Sequence, residues 1–222
     1  ADRCLILPFE TTDYPALPKL VDAARQWRGA IDGLINNAGI SQRSLAIETA
    51  FPVYQKVVDV DLMAPIALTQ LVLPHMVARK SGRLVFISSV AGKVGSPMRT
   101  AYSAAKHGLI GYADALRVEV AALGLHVHVI APGSIKTDVS RNAVVADRSR
   151  RGVSDEAIEN GIDPDKAVQR MLRAMARGDR EIIIARGVEQ VITRLRRQSP
   201  NKLFDMMEKM MAAGYAQKMK GE

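Results

Sequence analysis

The stretch "RLVFISS", Arg83 to Ser89, decides how this chain is to be read. Four apolar residues run together without alternation, and two serines end the run. A strand with one face in water alternates apolar and polar side chains. A continuous run belongs to a strand covered on both faces, as in parallel sheets. Four further runs fit the same description: "CLILP" (Cys4 to Pro8), "IDGLINNAG" (Ile31 to Gly39), "LHVHVIAPG" (Leu125 to Gly133) and "EIIIA" (Glu181 to Ala185). Helical patterns separate them, near Pro15 to Trp27, Ala50 to Lys80 and Thr100 to Leu123. Pro65 and Pro74 are expected to bend or break the second of these. Such alternation predicts repeated βα units, hence an α/β fold with a parallel sheet flanked by helices. From Pro164 onward two or three further helices are expected around the last strand. Val139 to Gly161 has weak periodicity and many charges, which makes it a candidate lid. No repeat, low-complexity segment or linker divides the chain, so residues 1–222 read as one domain.

Composition narrows the function classes. Of 222 residues, 48% are hydrophobic and 5% aromatic, which suits an α/β protein with a sizeable core. Cys4 is the single cysteine, so no internal disulfide and no cysteine-built zinc site can form. No apolar run reaches the ~20 residues that span a bilayer. His126 and His128 share one face of a strand without a third ligand nearby, and two hydrogen-bonded strand histidines are the expected reading. The net charge of +8 gathers at Arg141, Arg148, Arg150 and Arg151, and again at Arg194, Arg196, Arg197 and Lys202. Neither cluster has interleaved aromatics or a nucleic-acid motif, which argues against nucleic acid as a partner. Solvated surface is the first reading of these clusters; an anionic substrate or lipid headgroup is the second. The chain opens on Ala1 rather than Met, so an upstream segment, with any targeting signal in it, is expected to have been removed. A cytoplasmic protein is expected, with peripheral membrane contact as the alternative.

In open parallel sheets, ligands bind outside the carboxyl ends of the strands. "NNAG" (Asn36 to Gly39), "SSVAG" (Ser88 to Gly92) and "PGSIKT" (Pro132 to Thr137) fall there in turn. "TAYSAAKHG" (Thr100 to Gly108) follows the second. On a helix, Tyr102 and Lys106 lie on one face, where the ammonium would favour the phenolate. Taken alone, the pair favours the plainer reading of an exposed tyrosine and a solvated lysine. Its company on the same rim points to acid–base chemistry.

In their order and approximate spacing, these motifs resemble the short-chain dehydrogenase/reductase family over essentially the whole chain. "SSVAGKVGSPMRTAYSAAKHG" and "SRNAV" are most similar to the microsomal-type dehydrogenase/reductase branch and its bacterial relatives. The resemblance implies a Rossmann-like doubly wound sheet and an oxidoreductase that interconverts a carbonyl and an alcohol using NAD or NADP. It makes Tyr102 the acid/base and Ser89 the donor to the substrate oxygen. Lys106 would favour the phenolate and bond the nicotinamide ribose. Asn36, Ala38 and Gly39 would pass beside the adenosine half, and Pro132, Gly133, Ile135 and Thr137 would hold the carboxamide. "ETTD" resembles the turn that contacts adenine, with Glu10 in place of aspartate and Thr11 beside it. A homodimer or homotetramer is implied too. The chemistry agrees with these roles, because a hydride delivered to a carbonyl leaves negative charge on oxygen for Ser89 and Tyr102 to meet.

Two departures from the family stand out. The glycine-rich turn that seats pyrophosphate on a helix N-terminus is not found, so the chain is expected to lack the first βαβ unit and the residues that tell NAD from NADP. "CLILP" would then have no partner, and the edge of "DGLINN" would lie bare. Asp61 stands where the family has an asparagine thought to hold a water that relays protons to the lysine. Aspartate can hold a water as an acceptor, or it is a tolerated change in a kinked helix; both readings stand. A rival function is a non-catalytic fragment or pseudoenzyme acting through dimerisation or through membrane or partner docking. In "LFDMMEKMMAAGY", Leu203, Met206, Met207, Met210, Met211 and Tyr215 form one helical stripe, expected to be core or a subunit seam.

Overall fold

The computed structural model describes residues 3–220, so Ala1 lies outside the described residues. Among these, four strands form one parallel sheet: β1 (Gly33–Asn36), β2 (Gly82–Ile87), β3 (Leu125–Pro132) and β4 (Glu181–Ile184), in that spatial order. Leu34 pairs with Leu84, Phe86 with Val129, and Ile130 with Ile182. The continuous apolar runs of β2 and β3 are explained by cover on both faces, whereas the edge strands β1 and β4 keep Ile35 and Ile183 partly exposed. Leu84, Phe86, Val127 and Val129 point toward α1 (Leu17–Arg28), α3 (Ala64–Arg79) and α4 (Thr100–Val120), where they pack with Val21, Val72, Met76 and Leu109. Val85, Ile130, Ile182 and Ile184 meet Ala167, Ala174 and Met175 of the helix Pro164–Ala176 on the other side. Each such large side chain, fully buried, contributes about 1.5–3 kcal/mol.

Four of the five expected strands form. Cys4–Pro8 does not: β1 is an edge strand whose one partner is β2, and Ile6 is 80% exposed. A strand exists only where a neighbour takes its backbone groups, and none of the described residues takes those of Cys4–Pro8. Leu5, Leu7 and Phe9 instead line a groove of about 390 Å³ beside Leu34 and Ile35. The β1 edge and the 51% exposed Ile35 are thus open to a partner.

The long helical stretch also differs from expectation. It comprises α2 (Phe51–Val58), a π turn (Asp59–Met63) and α3. The irregularity falls before Pro65, and Pro74 sits within α3 without ending it. Proline has no N–H to return, so Pro65 cannot close an α turn onto Asp61; Ala64 N–H reaches back five residues to the Asp59 carbonyl instead. By length and composition Phe51–Arg79 is apolar enough to cross a bilayer, contrary to the expectation that no run qualifies. In the fold, Val53, Val57, Val72 and Met76 of this stretch are buried inside the protein.

After α4 the chain makes a 3-10 turn (Ala121–Leu123), and the lid region holds one short helix, α5 (Glu156–Glu159). Four helices, not two or three, accompany β4: α6 (Pro164–Ala176), α7 (Val188–Gln198), α8 (Pro200–Ala212) and α9 (Tyr215–Lys220). The expected methionine stripe is divided. Gly214, at φ 86°, separates α8 from α9, so Tyr215 leaves the stripe. Leu203 is fully buried, Met207 and Met211 line a groove against Gly95 to Pro97, and Met206 and Met210 are exposed. Of the two strand histidines, His126 is exposed. His128 is buried with Nδ1 2.7 Å from the Asp179 carbonyl, and burial lowers its pKa. No group of three metal-ligating side chains lies together among the described residues.

Candidate active site

A cavity of about 550 Å³ opens at the carboxyl ends of the strands, and Ser89, Tyr102 and Lys106 all line it. Each is placed by a separate local device. Ser89 follows the end of β2 in extended conformation and accepts the Ala91 N–H at 3.1 Å, capping the 3-10 turn Val90–Gly92. Its hydroxyl lies 3.4 Å from the Pro132 carbonyl. Ser88, one residue earlier, donates to the Lys106 carbonyl at 3.0 Å, which ties the end of β2 to α4. Tyr102 and Lys106 stand one turn apart on α4, with Lys106 Nζ 5.6 Å from the centre of the tyrosine ring.

Lys106 is 4% exposed, so its ammonium must be satisfied within the protein. Nζ donates to the Ile87 carbonyl at 3.0 Å and lies 3.3 Å from Asp61 Oδ2. Asp61 is fully buried, carried on the π turn, and its Oδ1 accepts the Ile40 N–H at 2.8 Å. The carboxylate therefore meets the lysine directly, rather than through a water or as a residue of the helix alone. Burial pushes the Asp61 carboxyl above the usual carboxylate range, against the pull of Lys106 and the Ile40 N–H. Asp61 does not line the cavity and acts on it through Lys106. Gly39 passes close to this crossing, where a Cβ would stand 3.3 Å from both Asp61 Oδ1 and Lys106 Nζ and crowd the pair.

A prediction follows from the raised Asp61 pKa. Below it, protonation would remove the partner of the Lys106 cation, so Asp61 should contribute to the acid limb of any pH–rate profile. Asp61→Asn keeps an acceptor for the Ile40 N–H and has no proton to gain. The variant is expected to stay folded and active with that limb moved to lower pH. An unchanged profile would assign Asp61 to helix structure alone.

The loop after β3 forms the opposite wall, with Pro132, Gly133, Ile135 and Thr137 lining the cavity. Glu189, in the first turn of α7, holds this loop: its Oε1 accepts the Ser134 N–H at 2.9 Å and the Ser134 hydroxyl at 2.7 Å. A side chain at Gly133 would overlap the Glu189 carboxylate. Other expected site residues lie elsewhere. Asn36 and Ala38 line the groove at the β1 edge together with Thr11, and Asn36 Nδ2 donates to Thr69 Oγ1 at 3.3 Å. Glu10 sits on an exposed turn outside both cavities, its carboxyl held below its usual range by the Thr12 N–H and hydroxyl.

Sequence reasoning missed a buried polar network behind α4. Asp155 accepts from Arg43 Nε (2.9 Å) and Nη2 (2.6 Å), from Arg99 Nη2 (3.1 Å) and from Arg151 Nη1. Burial opposes charge on Asp155, but Arg43, Arg151 and Arg99 together hold its carboxyl far below the usual range. Burial and the Arg99 charge pull the Arg43 guanidinium down to about 10, so it remains a cation at neutral pH. Arg151, read in the sequence as solvated surface, is mostly buried and also donates to the Met219 carbonyl at 2.9 Å. The expected lid is thus fastened to the segment around Arg43, to the residue before α4 and to α9. No local signal marks these residues, since Arg43 and Asp155 are 112 positions apart.

Comparison with known proteins sets this geometry in context. A family model described as short chain dehydrogenase matches residues 1–147. The Drosophila melanogaster protein "Dehydrogenase/reductase SDR family protein 7-like" is 38% identical over 204 residues, covering 92% of this chain and 63% of that protein. The Danio rerio "Dehydrogenase/reductase SDR family member 7B" is 43% identical over 157 residues, covering 71% of this chain and 51% of its own. The chain therefore spans between half and two thirds of the length of these curated relatives. Among solved structures, ElxO with NADP bound has a TM-score of 0.57 at 31% identity, covering 59% of this chain and 53% of that one. A short chain dehydrogenase/reductase from Burkholderia phymatum in complex with NAD has a TM-score of 0.76 at 20% identity, covering 88% and 75%, a likeness of fold.

Proposed function

The chain belongs to the short-chain dehydrogenase family, and from that premise we propose that it interconverts a carbonyl and an alcohol with NAD or NADP, Tyr102 serving as acid/base. The observation that carries this reading is the convergence of Ser89, Tyr102 and Lys106 on one cavity, from two elements of the sheet rim. The residues fit the nicotinamide end of a dinucleotide. Lys106 presents a fixed cation beside Tyr102, the Gly39 backbone approaches to where a side chain would crowd Lys106, and the Pro132–Thr137 loop faces them across the cavity. Solved relatives of the fold hold NADP or NAD, which supports the same assignment without choosing between them.

The nicotinamide, when bound, supplies or accepts the hydride. The chain's own part is the oxygen. Ser89 Oγ donates a hydrogen bond to the carbonyl oxygen, and Tyr102 delivers its phenolic proton as negative charge develops there. Two such donors each contribute on the order of a hundredfold or more. Lys106 stabilises the phenolate left behind, and Asp61 with the Ile87 carbonyl holds Lys106 in place. In the oxidation direction the phenolate takes the alcohol proton. Small-molecule carbonyls or alcohols are the proposed substrates, and self-association as a homodimer or homotetramer belongs to the same proposal.

A second reading, action through the surface without chemistry, draws on the open β1 edge and its apolar groove. One assay separates the two. The full-length protein is mixed with NADH or NADPH and a panel of aldehydes and ketones, and loss of reduced-nicotinamide absorbance is followed. Turnover with one dinucleotide is expected. Tight dinucleotide binding or none, with no turnover across the panel, would favour the surface reading.

A further inference from the structure

We infer that Gln42 is a positioning residue for the proposed acid/base: from outside the helix, it caps the N-terminus of α4 and so sets the place of Tyr102. This rests on the reading of Tyr102 just given. The first N–H groups of a helix have no partner within it, and a side chain just before the helix usually takes one. Here Arg99 stands at that position and makes no side-chain cap. Gln42, 59 positions away, supplies the acceptor: its Oε1 takes the Ala101 N–H at 2.8 Å. Ala101 and Gln42 are both fully buried, so water cannot substitute. Tyr102 is the next residue along.

The cap is itself held on its other side. Gln42 Nε2 donates to Ser44 Oγ and Thr49 Oγ1, each at 3.1 Å. Its backbone neighbours are fastened to the lid, with Val144 N–H donating to the Ser41 carbonyl at 2.8 Å and Arg43 N–H to the Val144 carbonyl at 2.9 Å. Arg43 and Arg99 converge on Asp155, which ties the residue after Gln42 to the residue before α4. The strap 41–44 thus grips the helix end twice, through a neutral hydrogen bond and through an ion cluster. With the cap removed, the first turn carrying Tyr102 is left with a buried, unmatched donor and is free to shift. Displacements of about 1 Å at a reacting group can cost on the order of a hundredfold in rate.

The test uses the full-length protein and three variants. Gln42→Met keeps the bulk and removes the acceptor. Gln42→Glu, protonated in so buried a place, keeps an acceptor for the Ala101 N–H and an O–H that donates to Ser44 Oγ or Thr49 Oγ1 as Nε2 does. Tyr102→Phe reports on the chemistry. Gln42→Met is expected to lower kcat about tenfold to a hundredfold with KM within about threefold, and Gln42→Glu to restore most of it. Amide exchange at Ala101, read without substrate, should speed up in Gln42→Met and recover in Gln42→Glu. Unchanged kcat in Gln42→Met while Tyr102→Phe is inactive would overturn the inference and leave the functional reading standing. Should Tyr102→Phe keep its turnover, the functional reading fails. Ala101 exchange then still decides the anchoring, and unchanged protection in Gln42→Met overturns it.

Discussion

Tyr102→Phe is expected to reduce kcat by about 10²- to 10⁴-fold, the range usual for loss of a positioned proton donor. The phenyl ring keeps its place on α4 and its contact with the Lys106 ammonium. Dinucleotide affinity should therefore hold within a few-fold, and the melting temperature should barely move. Lys106→Ala is a different case. It strips the Ile87 carbonyl of its donor and leaves Asp61 as a buried carboxylate without a counter-charge. Dinucleotide binding, rate and stability should then fall together. Fluorescence titration with NADH and NADPH alongside steady-state kinetics distinguishes the patterns. Near-parental turnover in Tyr102→Phe would remove the tyrosine from the chemistry.

The largest effect on stability is expected at Asp155. Its carboxylate is the one acidic group facing Arg43, Arg99 and Arg151 in the network, and the Arg43 side chain is 4% exposed. Removing one partner of a buried ion pair costs about 3–5 kcal/mol, because the remaining charge stays buried and unpaired. For a chain of this length Asp155→Ala should lower the melting temperature by roughly 10 °C. Arg43→Met added to that variant should recover part of the loss, since an apolar pair leaves no buried charge. The pH dependence has a definite sign. The folded-state pKa of Asp155 lies well below its unfolded value, so its contribution is complete above about pH 4 and is lost as pH falls toward the folded value. The stability gap between parent and Asp155→Ala should therefore narrow between neutral pH and pH ~3. Urea midpoints at the two pH values measure it; a constant gap, or parental stability at neutral pH, would show that the cluster does not hold the lid.

What the sequence displayed, and what it hid, divide by the range of the interactions. β2 and β3 were legible because burial on both faces leaves continuous apolar runs in a strand, and β4 carries such a run although Ile183 is 39% exposed at the sheet's other edge. Ser89, Tyr102 and Lys106 were legible because strand-end serines and an i, i+4 pair are short-range patterns, and the sheet rim brings them together. "CLILP" has the composition of a strand, but strand formation depends on a neighbour, and composition does not report one. The break expected at Pro65 takes the form of a π turn lying one turn earlier, because its cause is the N–H that Pro65 lacks, while Pro74 sits inside α3 without ending it. Gln42, Asp155 and Glu189 were invisible for a simpler reason. Each is an ordinary polar residue in its own neighbourhood, and its meaning lies in a partner 55 to 112 positions away.

The wide turn at Asp59–Met63 has a consequence for heredity. Relative to a regular helix it is one residue too many. An in-frame loss of one codon across it would let the helix close at its ordinary pitch with both flanks still facing as they do, because a π turn absorbs its extra residue locally. Val53 and Val57 before it and Val72 and Met76 after it would keep their buried faces, and the bulge that carries Asp61 to Lys106 is what would go. The extra residue serves one side chain: it is a codon the helix could spare and the contact between Asp61 and Lys106 could not.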